Sequence, residues 1–90
     1  MSYKIELKPS AIRSLAKIPK DDQKAIRIRI DALANTPFPP YVKKLEGEEN
    51  FYRVRAGDYR IIYQVHKKIL LIVVLAIGHR KEVYRELNKF

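Results

Sequence analysis

Nineteen lysines and arginines against ten aspartates and glutamates give this 90-residue chain a formal charge of +9, and 47% hydrophobic content places that charge on a folded body rather than a disordered tail. The length allows one small domain, residues 1–90, burying roughly 60% of the unfolded chain's surface, and excludes a second. The absence of cysteine excludes disulfides, zinc-thiolate sites and thiol nucleophiles.

Tyr3, Ile5 and Leu7 alternate with Lys4, Glu6 and Lys8, which predicts a short first strand stopped by Pro9 and Ser10. Ser10 suits the cap of a helix with Ile12, Leu15, Ala16 and Ile18 along one stripe, ended by Pro19. A second helix follows, with Asp21 or Asp22 at its amino terminus; Ala25, Ile26, Ile30, Leu33 and Ala34 face in, and Lys24, Arg27, Asp31 and Asn35 face out. The junction Ile18-Pro19-Lys20 makes these an antiparallel helical hairpin.

Three prolines within residues 36–41 form a stiff connector, and Lys43 to Leu45 suggests a short strand before the acidic loop of Glu46, Glu48 and Glu49. In the next stretch Tyr52, Val54 and Ala56 alternate with Arg53 and Arg55, and Tyr59, Ile61, Tyr63 and Val65 alternate with Arg60, Ile62 and Gln64. A two-residue turn at Gly57-Asp58 would pair Ala56 with Tyr59 and set Arg55 directly across from Arg60. Like charges directly opposite on a sheet are destabilising. Arg53, Arg55 and Arg60 on one face therefore point to an anionic ligand, and guanidinium groups suit phosphate oxygens. Tyr59 and Tyr63 belong in the core, and His66, beside Lys67 and Lys68, is expected at the surface.

The run 69–77 is apolar on both faces, as in an interior strand covered on both sides. At nine residues it falls far short of the roughly 20 needed for a membrane-spanning helix. The amino terminus carries no signal-peptide hydrophobic region. The expectation is a soluble, cytoplasmic protein with no membrane partner. After Gly78, residues 82–87 suggest a short final helix, making an α+β domain: an N-terminal strand, a two-helix hairpin, an antiparallel sheet of three or four strands and a C-terminal helix.

Chemistry concentrates at the end of the apolar strand. Alternation places Arg80 on the side of Val74, Ala76 and Gly78, where the two small residues leave the floor of a groove, and Tyr84 follows at a distance that lets its ring stack on a base there. Alternation turns His79 away from Arg80; a break at Gly78 would let it serve as acid or base. The two histidines, isolated from clustered carboxylates, make no metal site, and nothing calls for a cofactor.

Lys44-Leu45-Glu46-Gly47, then Tyr52-Arg53-Val54-Arg55 with Gly57-Asp58-Tyr59-Arg60-Ile61-Ile62-Tyr63, and finally Gly78-His79-Arg80-Lys81-Glu82-Val83-Tyr84 closely resemble the RelE branch of the RelE/ParE toxin superfamily. The resemblance runs over almost the whole chain. It implies a RelE-like fold and the toxin of a type II toxin-antitoxin pair, cleaving mRNA in the ribosomal decoding site by attack of a 2′-hydroxyl on the phosphate. It also implies a cognate antitoxin, with the ribosome and mRNA as further partners. On the matching positions, Arg60 and Arg80 stabilise the scissile phosphate, Arg53 and Arg55 hold the flanking backbone, and Tyr84 positions or stacks on a base. The family pattern has lysines where Arg53 and Arg55 stand. Arginine stabilises charge well and, with a pKa above about 12, shuttles protons poorly. The alternative is a non-cleaving relative: a ParE-like gyrase inhibitor, or a weakened protein that only binds RNA or antitoxin.

Overall fold

The computed structural model describes residues 2–45, 50–79 and 83. The acidic loop 46–49, the expected final helix, Arg80 and Tyr84 lie outside the described residues. The elements in order are β1 (Lys4–Leu7), α1 (Pro9–Ala16), α2 (Lys20–Leu33), β2 (Lys43–Lys44), β3 (Phe51–Ala56), β4 (Tyr59–His66), a single 3-10 turn (Lys67–Ile69) and β5 (Leu71–His79).

The five strands form one sheet in the order β1-β5-β4-β3-β2. The expected antiparallel sheet is present as the four strands β2–β5, and β1 makes the whole mixed by running parallel to β5, with Lys4 beside Leu71 and Leu7 beside Val74. Alternation in a lone short strand shows which face is buried and carries no sign of the partner's direction.

Both helices cover one face. Ala11, Leu15 and Ile18 from the α1 region and Ile26, Ile30 and Leu33 from α2 pack on Val54, Ile61, Tyr63, Ile72, Val74 and Ile77 of the sheet. The inward stripe of α1 thus differs from the expected one: Ala11 is buried, while Ile12 is 52% exposed. The start of the helix explains the rotation. Lys8 is the extended capping residue and Pro9 takes the first helical position, where its fixed φ is pre-organised and its missing N–H costs nothing. Ser10 lies inside the first turn, its hydroxyl buried without a hydrogen-bond partner, rather than at the cap. At the helix junction Gln23 Nε2 donates to the Ile18 carbonyl at 2.7 Å, locking the turn between α1 and α2.

On the opposite face a second, smaller core joins Ile62, Leu75, Ala76 and Val83, with Leu45, Phe51 and Val73 packed against it. β5, between β1 and β4, is therefore covered on both sides, as its apolar run predicts. The β4–β5 register shifts at one point: Ile62 pairs with Ala76, but Tyr63 pairs with Val74. Leu75 is the extra residue of this bulge, and Leu75 and Ala76 both belong to the second core.

Candidate phosphate-binding face

The arginine face begins with its turn. Gly57 has φ 63° and is the first of the two loop residues, the position that a type II′ hairpin turn gives to glycine. That turn fixes the register: Ala56 pairs with Tyr59, Arg55 with Arg60, Val54 with Ile61 and Arg53 with Ile62. Val54 and Ile61 fall on the helix side, so Arg53, Arg55 and Arg60 share the other face. The like-charged pair expected from the sequence is present in the fold.

Residues directly opposite one another share a face, which extends the patch sideways. Lys43 pairs with Arg53 and adds a fourth cation. On the other flank Arg60 lies opposite Gly78, and Ile62 opposite Ala76. Four basic side chains from β2, β3 and β4 thus border a strip of small or apolar residues on β4 and β5. Arg55 and Lys43 are exposed, whereas Arg53 and Arg60 are half-buried. Lys43 escaped the sequence reading because a two-residue strand has too short a pattern to show its register; its place beside a motif lysine was the available signal.

Two expectations about the strand end change. The bulge puts Val74 among the helix-packed residues, so Val74 does not share a face with Ala76 and Gly78. The space over the small residues is also occupied. A Cβ built on Gly78 would lie 3.5 Å from the Val83 backbone nitrogen, and Val83 is fully buried against Ile62 and Ala76. Ala76 and Gly78 therefore seat Val83 where an open groove floor was expected.

β5 does not break at Gly78. It continues to His79, which pairs with Tyr59, and the two rings lie 4.5 Å apart between centroids. The structure thus leaves His79 beside a cavity lined by Ser14, Lys17, Ile18 and Tyr59 on the helix side and does not bring it to the arginine face. The acid-or-base role required the opposite orientation. Arg80 and Tyr84 lie beyond the described residues.

Behind the face, Tyr63 is fully buried and its hydroxyl donates to the Pro37 carbonyl at 2.7 Å, tying the proline-rich connector to the sheet. Burial, with the neighbouring Tyr52 and Tyr41 phenols, pushes Tyr63 far above the usual tyrosine range. His66, expected at the surface, is half-buried, its Nε2 3.1 Å from Gln64 Oε1.

Residues 5–84 match the family described as ParE toxin of type II toxin-antitoxin system, parDE. The chain belongs to the RelE/ParE superfamily of type II toxins. Its relatives carry RelE names. It is 27% identical over 88 residues to a putative toxin RelE1 of Methanocaldococcus jannaschii, covering 94% of this chain and 98% of that protein. Among solved structures, a chain of the archaeal RelE–RelB complex from Pyrococcus horikoshii is similar at TM-score 0.79 and 32% identity, over 90% of this chain and 98% of that one. A free E. coli RelE variant reaches TM-score 0.81 at 23% identity, over 99% and 97%, a likeness of fold. The superfamily fold in this chain is two helices against a five-stranded mixed sheet, carrying arginines on the side away from the helices.

Proposed function

We propose that this toxin is a ribosome-dependent endoribonuclease that acts in the cytoplasm and cleaves mRNA in the decoding site. The observation that carries the reading is Arg55 directly opposite Arg60 on the face away from the helices. Like charges directly opposite one another on a sheet repel, and a phosphate between the guanidinium groups would favour the pairing. In the proposed reaction a ribose 2′-oxygen attacks the adjacent phosphorus, the P–O5′ bond breaks, and a 2′,3′-cyclic phosphate forms as the 5′-oxygen leaves with a proton. Arg60 and Arg80 stabilise the charge that builds on the phosphorane. Arg53, Arg55 and Lys43 hold the flanking backbone, and Tyr84 stacks on a base.

An acidic antitoxin is the second proposed partner. Two supports favour it: solved relatives are RelE–RelB complexes, and a domain of charge +9 attracts an acidic chain. The match to the ParE family favours a second reading, inhibition of DNA gyrase.

Inducing the protein in cells and mapping mRNA 5′ ends separates the two. New codon-phased ends, lost in Arg80→Ala and reduced in Tyr84→Phe, support the nuclease. Growth arrest without such ends, together with inhibition of supercoiling by purified gyrase, supports the second reading.

A further inference from the structure

We infer that the proline-rich connector carries a second RNA-binding surface, a stacking platform for unpaired bases built from Phe38 and Tyr41. Tyr41 is 51% exposed and Phe38 37% exposed, although both are large rings on a small protein. Each already holds a cation. The Arg29 guanidinium carbon lies 4.8 Å from the Tyr41 ring centroid, and an Arg29 Nη1–H donates to the Tyr41 hydroxyl. Lys67 Nζ lies 5.2 Å from the Phe38 centroid. Phe38 also stands edge-on to Tyr52 at 4.9 Å.

The rings are held in place. Tyr63 bonds the Pro37 carbonyl at 2.7 Å, the Val42 N–H bonds the Pro39 carbonyl at 2.9 Å, and Pro39 is buried. Prolines at 37, 39 and 40 fix the backbone between them, so little conformational freedom remains to be lost on binding. Rigid exposed rings, each beside a cation, match the chemistry by which proteins hold single strands: bases stack on aromatic or guanidinium planes while cations meet the phosphates. The positive charge of the chain favours RNA over an apolar protein partner.

Tyr52 and Tyr63, on which the connector rests, belong to the helix side of the sheet, so the connector and the arginines lie on different sides of it. They suit two separate stretches of RNA. An enzyme that works only on the ribosome has two to hold, its substrate and the surrounding ribosomal RNA. The platform extends the nuclease reading, but its test does not need cleavage.

The test is equilibrium binding of the full chain to a fluorescent oligouridylate, with photocrosslinking of its 4-thiouridine form. Tyr41→Ala, and Phe38→Leu, which keeps apolar packing on Tyr52 but removes the ring, should each weaken binding about tenfold. Tyr41→Phe, which keeps the ring, should bind like the unsubstituted protein, and crosslinks should map to Phe38 or Tyr41. Unchanged affinity in folded Tyr41→Ala and Phe38→Leu, or crosslinks confined to β3 and β4, would overturn the platform. Arg55→Ala reads the other face separately: if it alone leaves binding intact, the phosphate reading of that face fails and the platform stands.

Discussion

Arg55 is the residue at which folding and the proposed activity conflict most openly. It faces Arg60 across the hairpin and is exposed, so replacing it with a neutral, strand-compatible side chain removes repulsion without opening a cavity. Arg55→Thr should raise stability by about 0.2–1 kcal/mol in urea titrations while weakening RNA binding and growth arrest. Loss of stability together with full toxicity would make the pair an ordinary structural contact. Tyr63 gives a second test. Its ordinary value near 10 is raised by burial, so the folded protein keeps a proton that the unfolded chain releases. That contribution is complete below pH 10 and declines as pH rises above it, by at most about 1.4 kcal/mol per pH unit. Tyr63→Phe should lose about 1 kcal/mol at neutral pH, because the Pro37 carbonyl loses its donor, yet fall less steeply between pH 10 and 11. Equal slopes in the two proteins would show that Tyr63 does not set the alkaline limit.

Among the elements, the hairpin was the most legible in the sequence and the strand after it the least. Alternation on both sides of Gly57-Asp58 specified pairing and facing because a two-residue turn leaves one register. Gly57→Ala should therefore cost about 1 kcal/mol or more, since φ 63° is unfavourable with a Cβ, although nothing stands within 4 Å of the added carbon. Equal urea midpoints for glycine and alanine would contradict the turn assignment. β5 misled because its residues are apolar on both faces, so the bulge at Leu75 shifted the alternation with no polar residue to mark it. Arg53, Arg55 and Arg60 were placed correctly from their own hairpin, and Val74 was not. The α1 stripe failed for a related reason: Ala11 and Ile12 are both apolar, and only the start at Pro9 decides which is buried.

At the scale of the molecule, the sheet separates two jobs. One face is given to the helices and holds most of the buried core; the other has a small core bordered by cations. Among the described residues no helix is long and apolar enough to cross a membrane. What periodicity could not supply was the long-range arrangement. The parallel β1–β5 pairing, Lys43 beside Arg53 and Val83 over Gly78 each depend on which segments meet in space. Family resemblance supplied the grouping of the arginines with Arg80 and Tyr84 as one reactive set, which no single segment implies.

The nuclease reading is tested most directly by incubating the purified toxin with ribosomes stalled on a defined mRNA, with or without a single 2′-deoxy nucleotide in the decoding site. The account predicts a cut there that requires ribosomes, leaves a 2′,3′-cyclic phosphate, and disappears both with the 2′-deoxy substitution and in Arg60→Ala. An intact mRNA, or a cut unaffected by removing the 2′-hydroxyl, would contradict it.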